Sequence, residues 1–155
     1  MSDPLAYFLT WTTYGTWLPG DERGWVDRWR RHGEIVDKPE PLLEKHAQEL
    51  LKGPAVVLDE GMRTAAETAL RGVSDEFGWM IHALAVRSNH VHLVVTAREE
   101  APGKVMGLLK RRGTQALNGL DAANAKTRWW TEDGSKRLLY TEKAVRAAIE
   151  YVQNQ

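Results

Sequence analysis

Polar and apolar positions alternate at the start of the chain, where Tyr7, Leu9, Trp11 and Thr13 stand against Phe8, Thr10 and Thr12. Successive side chains of a strand point to opposite faces, so the segment from 7 to 13 is expected to be a first strand with two useful faces. Trp17-Leu18-Pro19-Gly20-Asp21 then turns the chain. The region onward to Pro41 is polar, rich in Arg and Trp, and broken by Gly and Pro. It reads as a long ordered loop over about 18–41, and loops of such length in compact domains usually serve binding. Leu43, Ala47, Leu50 and Leu51 share one side of a helix over 42–51, which Gly53-Pro54 ends. A second helix is expected to start at the N-cap Asp59, carry Met62, Ala65, Ala66, Ala69 and Leu70, and fade near Gly72 or Gly78.

Two apolar runs, 79–86 and 90–96, are joined by the short polar link Arg87-Ser88-Asn89 and predict an antiparallel hairpin. Val105, Leu108, Leu109 and Ala116 give 105–117 a buried helical side, with Lys110, Arg111 and Arg112 turned toward water. Segments 128–131 and 137–140 flank Glu132-Asp133-Gly134-Ser135, which reads as a hairpin turn. Thr141 can cap a last helix running toward Gln155, with Val145, Ile149 and Val152 as its buried stripe and Tyr151 on the flank. This order predicts an α+β fold, an antiparallel sheet sandwiched with helices.

At 155 residues the chain suits a single domain, here spanning 1–155. No apolar run approaches the ~20 residues that cross a bilayer, and the N-terminus lacks the zones of a signal peptide, so no membrane partner and a cytoplasmic location are expected. The absence of cysteine removes disulfides, thiolate metal sites and thiol nucleophiles, and leaves chemistry to His, carboxylates, hydroxyls and phenols. Net charge is formally zero, so attraction to nucleic acid has to be local. Between Lys104 and Arg137 eight basic residues face three acidic ones, an excess of five. A solvated helix face and a nucleic-acid track are both open readings of this stretch. Of seven tryptophans, Trp129 and Trp130 lie within it, where they could offer bases a stacking surface or pack into the core.

In a strand over 90–96, His90 and His92 project from one face while Val91, Leu93 and Val95 project from the other into the core. Two imidazoles directed to one point suit a divalent cation and leave coordination positions open, although a third ligand is needed from elsewhere; a polar sheet face is the alternative. His82 falls on the paired strand, nearly opposite Val94, as a supporting or purely structural group. His32 and His46 fit surface positions better.

Ser88-Asn89-His90-Val91-His92-Leu93-Val94-Val95 resembles the paired-histidine motif of the HUH nucleases and transposases. Phe8-Leu9-Thr10-Trp11-Thr12-Thr13-Tyr14-Gly15-Thr16-Trp17-Leu18-Pro19-Gly20-Asp21 is similar to the opening of REP-associated tyrosine transposase-like proteins, a branch of the single-tyrosine transposases. Ala148-Ile149-Glu150-Tyr151-Val152-Gln153-Asn154-Gln155 resembles their nucleophile helix. These matches stand in the family's order and cover most of the chain.

The resemblance implies a ferredoxin-like or RRM-like HUH endonuclease fold, with His90 and His92 as metal ligands, Tyr151 as attacking nucleophile and Gln155 as polar ligand one helical turn later. Residues four apart share a helix face, so 151 and 155 can address one phosphate. It further implies a divalent cofactor, Mg or Mn, single-stranded DNA with hairpin-forming ends, and a homodimer. The expected product is a 5′-phosphotyrosine with a free 3′-hydroxyl, which a later 3′-hydroxyl would reseal. Arg23, Arg28 and Arg30 in the long loop, together with Lys110, Arg111, Arg112, Arg128 and Trp129, are the expected DNA-binding residues. Two rivals remain: an inactive or domesticated module that binds hairpin DNA or RNA, and a metal-dependent hydrolase in which water attacks. A helix whose last ligand is also its last residue is expected to fray there.

Overall fold

The computed structural model describes residues 2–16, 25–27, 34–36, 41, 42, 45, 49, 55–126 and 128–154. Its elements are β1 (Ala6–Thr12), β2 (Trp25–Asp27), β3 (Glu34–Val36), α1 (Glu60–Phe77), β4 (Met80–Val86), β5 (His90–Thr96), α2 (Pro102–Leu120), a 3-10 turn (Ala122–Asn124), β6 (Ser135–Leu139) and α3 (Glu142–Gln153). The fold is α+β, as the sequence pattern predicts. Within the expected loop over 18–41, β2 and β3 pair as an antiparallel ribbon, with Trp25 opposite Val36. Apart from Pro41, which is helical, the rest of that loop lies outside the described residues. Backbone at Leu42, Lys45 and Glu49 is helical, in line with the helix expected over 42–51, whose other residues above 42 are not described.

The main sheet has the order β4-β5-β1-β6. Its neighbours are all antiparallel. Period-2 alternation divides its side chains between two cores. Tyr7, Leu9 and Trp11 of β1 join Val91, Leu93 and Val95 of β5 on the face covered by α1 and α2, which add Ala66, Leu70, Val73, Val105, Met106, Leu109 and Leu117. On the opposite face Ala6, Phe8, Ala83, Ala85, Val94 and Leu139 meet Ala148 and Val152 of α3. Every residue of β1 is buried, as expected of a central strand sandwiched between helices.

The helix ends follow local chemistry. Asp59 caps α1 by accepting from the Met62 amide at 2.8 Å, and Gly78 ends it in the left-handed conformation at φ 71°. Thr141 caps α3 by accepting from the Ala144 amide at 3.1 Å. Helix α2 extends past the predicted 105–117 at both ends, with Pro102 in its first turn. Among the described residues, no helix is long and apolar enough to cross a membrane.

Two irregularities depart from the expected pairings. The hairpin of 79–86 with 90–96 is present, but a register shift between Ile81 and Ala83 puts Ala83, not His82, opposite Val94. His82 Nε2 lies instead 2.7 Å from Thr96 Oγ1, which itself donates to the Leu5 carbonyl, so the imidazole donates here and ties the bulge to β5. The second departure corrects the hairpin expected around Glu132–Ser135. Both flanking segments run along β1 rather than along each other: Trp130 bridges Thr13, and Ser135 pairs with Thr10. Three steps along β1 are thus matched by five along its neighbour, and two residues are extra.

That insertion is held from beneath by Lys110, whose ammonium donates to the Thr131 and Asp133 carbonyls at 2.9 and 2.6 Å. Lys110 therefore does not turn toward water as predicted, because it satisfies carbonyls that the interrupted ladder cannot. Burial pushes its pKa down to about 8. Gly134 sits at φ 155°, and a Cβ there would come within 2.5 Å of the Thr10 carbonyl oxygen and 3.0 Å of Met106. Because the nearest atom belongs to the backbone of the central strand, Gly134→Ala is expected to destabilise the fold by about 2 kcal/mol or more. Denaturant unfolding checks this; an unchanged midpoint would show that the bulge relaxes freely.

Candidate active site

Pairing of β1 with β5 sets Thr10 opposite His92 and Thr12 opposite His90. The threonines and histidines all fall on the α3 face of the sheet, beyond the part that the helix covers. His92 is 1% exposed and His90 8%. Their rings lie 4.6 Å apart, centroid to centroid, at 66°.

Each ring is oriented through its Nδ1. His90 Nδ1 is 2.8 Å from Asn89 Oδ1, and an amide oxygen only accepts, so the His90 proton sits on Nδ1 and Nε2 carries the lone pair. His92 Nδ1 is 2.8 Å from Thr10 Oγ1. The Nε2 of His92 is buried and has no hydrogen-bond partner among the described residues. Burial lowers the His92 pKa to about 3, with the neighbouring His90 and then Arg87 adding to the effect. Burial, then Arg87, lowers that of His90 to about 4. Both imidazoles are therefore neutral at pH 7, the form that ligates metal, and with its proton on Nδ1 toward Thr10 Oγ1, His92 offers a cation the lone pair of its unpartnered Nε2. The pair fits a divalent ion. Among the described residues no cluster of three His, Cys, Asp or Glu forms.

Tyr151 is brought to this pair by α3. Ala148 and Val152 dock the helix on the sheet, and Tyr151 stands on its flank, 49% exposed. Its ring meets that of His92 at 5.5 Å in an edge-to-face arrangement and that of Phe8 at 5.8 Å. Phe8 also lies 5.8 Å from His92. The three residues expected to carry the chemistry thus converge within one chain, although they are 59 or more positions apart between Tyr151 and the pair. Gln155 is outside the described residues.

The described members of the expected DNA-binding set differ in their surroundings. Arg111 is exposed, and the exposed Arg128 lies 5.6 Å over the Tyr14 ring. Arg112 makes a double hydrogen bond to the Glu76 carboxylate at 2.9 and 3.1 Å. Lys110 is engaged internally, as described. Trp129 is 3% exposed and donates from its indole to Asn118 Oδ1 at 2.8 Å, so it packs into the core and offers bases no stacking face. Arg23, Arg28 and Arg30 lie outside the described residues. Phe8, Thr10 and Asn89 support the site without having been singled out. Thr10 shares the alternating face of β1 with Phe8, a signal that acquires meaning once β1 is known to neighbour β5.

The α+β sheet thus presents two neutral imidazoles beside a helix-borne tyrosine. Residues 46–155 match the family of IS200-like transposases, and the chain belongs to that family. A crystal structure of a candidate transposase from Deinococcus radiodurans superposes over 100% of this chain and 93% of its own, with TM-score 0.54 and 17% identity. A REP-associated tyrosine transposase bound to a REP hairpin superposes over 97% of this chain and 66% of its own, with TM-score 0.52 and 15% identity. At such identities the likeness is one of fold. No curated protein matches the chain.

The lowered histidine pKa values have a consequence for stability. An unfolded chain protonates its histidines as pH falls through about 6.5, whereas the folded protein leaves His90 and His92 neutral down to about 4 and 3. The unfolded state then binds more protons, so stability declines below pH 6.5, by up to about 1.4 kcal/mol per pH unit for each histidine. Denaturant midpoints in chelator-treated buffer between pH 7 and 5 should fall, and His92→Gln should flatten the slope. A flat wild-type profile would contradict a neutral buried pair.

Proposed function

We propose that the protein cleaves single-stranded DNA and rejoins it by strand transfer, with Tyr151 as nucleophile and with His90, His92 and Gln155 holding a divalent cation, Mg or Mn. The observation that carries this reading is the contact of the Tyr151 ring with His92 at 5.5 Å, which joins the nucleophile to a pair of neutral imidazoles. Membership of the IS200-like transposase family supports it. The substrate we infer is a strand with hairpin-forming ends, in keeping with the hairpin bound by the REP-associated relative.

In cleavage the Tyr151 oxygen bonds to the scissile phosphorus while the bond from phosphorus to the 3′-oxygen breaks, giving a 5′-phosphotyrosine and, after the 3′-oxygen gains a proton, a free 3′-hydroxyl. A second 3′-hydroxyl reverses these steps to rejoin a strand, and no nucleotide energy source is consumed. When bound, the cation supplies charge neutralisation at the phosphate. The chain's own residues prepare the rest: Asn89 and Thr10 fix the imidazoles, and Phe8 holds His92 and Tyr151 against a common surface. A homodimer, implied by the resemblance, is not needed to bring Tyr151 to His92, since α3 packs on its own sheet.

Incubation with labelled single-stranded oligonucleotides carrying the chain's flanking genomic hairpins, with Mg or Mn, should give a denaturation-resistant adduct. Tyr151→Phe and His90→Ala should lower its formation by about 1000-fold or more, as expected when a group of an interdependent catalytic set is removed. Hairpin binding without adduct in the wild type would instead favour a non-catalytic binding module, and strand cleavage without adduct would favour attack by water.

A further inference from the structure

Strand β6 brings a charged group to the Tyr151 face. Arg137 pairs in register with Phe8. Its side chain is exposed, and its guanidinium carbon lies 5.7 Å from the Phe8 ring centroid. The Tyr151 ring lies 5.8 Å from that same centroid. Phe8 is thus a platform shared by the cation, the tyrosine and His92. The bulge decides this placement, for without its two extra residues Ser135, not Arg137, would stand opposite Phe8. Among the described residues Arg137 has no carboxylate within ion-pair distance, unlike Lys104, Arg112 and Lys136, which are paired. A guanidinium stays charged throughout the physiological range and presents a planar fork of donors matched to phosphate oxygens.

We propose that Arg137 contacts the nonbridging oxygens of the phosphate that Tyr151 attacks, making it a further catalytic residue. The proposal rests on the strand-transfer reading above. As the Tyr151 oxygen bonds to phosphorus and the 3′-oxygen departs, negative charge accumulates on the nonbridging oxygens, and a fixed cation beside them stabilises that transition state more than the ground state. Arg137 transfers no proton; the phenol's proton is lost to solvent and the 3′-oxygen regains one.

The test measures single-turnover adduct formation on the flanking-hairpin oligonucleotide for wild type, Arg137→Met, which keeps an aliphatic cover over Phe8, and Arg137→Lys. Each is assayed with an ordinary scissile phosphate and with a methylphosphonate at the linkage mapped from the wild-type adduct. Arg137→Met is expected to slow adduct formation by about 100-fold on the phosphodiester, the scale of losing one preorganised charge-stabilising donor. Hairpin affinity should stay within about twofold, and Arg137→Lys should recover part of the rate. On the methylphosphonate, which lacks the charged oxygen, wild type and Arg137→Met should agree to within about twofold, the signature of a direct coupling.

An unchanged rate, or the same gap on both substrates, would overturn the proposal. So would a loss of rate that Arg137→Lys does not relieve and that accompanies a lowered melting temperature, since Arg137 would then act only by covering Phe8. If the wild type itself forms no adduct, the strand-transfer reading fails and this proposal falls with it. An active wild type with an indifferent Arg137 removes this proposal alone.

Discussion

The antiparallel pairing of β1 with β5 is the constraint on which the rest of the molecule depends. These strands occupy the middle of the sheet, so their six registered pairs fix which side chains face α1 and α2 and which face α3. A slip by one residue would send Leu9, Trp11, Val91, Leu93 and Val95 out of the larger core and turn both histidines into it. The burial of those apolar residues therefore specifies the position of His90 and His92. The larger core on one face of the sheet and the candidate site on the other are set by the same register.

The second face shows how a buried polar site is tolerated. Helix α3 covers the sheet only over its small and apolar positions, and Ala83 and Ala85 leave room for the helix to approach. Beyond Phe8 the face becomes Thr10, Thr12, His90 and His92, all buried. Polar groups removed from water need partners, and the two Nδ1 atoms have them in Thr10 and Asn89. Those bonds lock the rings and burial keeps them neutral, an arrangement suited to metal ligation. Tyr151 sits where apolar packing gives way to this polar patch, close enough to touch His92 and exposed enough to meet a substrate.

Irregular backbone completes the placement. The bulge in β4 resets the alternation so that Ala83 and Ala85, rather than His82, lie beneath α3. The two-residue insertion before β6 slides Arg137 opposite Phe8 and needs both Gly134 and the Lys110 ammonium to exist. Edge strands accommodate such insertions because one side of the ladder has no neighbour to disturb.

Much of this was legible in the sequence. Alternation gave β1 and the His-bearing hairpin; Asp59 and Thr141 marked helix starts through hydrogen bonds that are local, while the end of α1 stayed open between Gly72 and Gly78; and spacing four residues apart kept Tyr151 off the apolar stripe of α3. The histidine pair was legible because its geometry is that of one strand. Other features rest on partners distant in the chain. Lys110 reads as a solvent-facing lysine until the Thr131 and Asp133 carbonyls arrive beneath it. Trp129 reads as a stacking surface until Asn118 and the core enclose it, and a turn-like Glu132-Asp133-Gly134-Ser135 reads as a hairpin until β1 claims both flanks. Local sequence determines periodicity and caps because those energies act over a few residues. Which strand pairs with which, and hence which polar side chains are consumed by the fold and which are left for chemistry, is decided only when segments far apart in sequence compete for the same hydrogen-bonding edge.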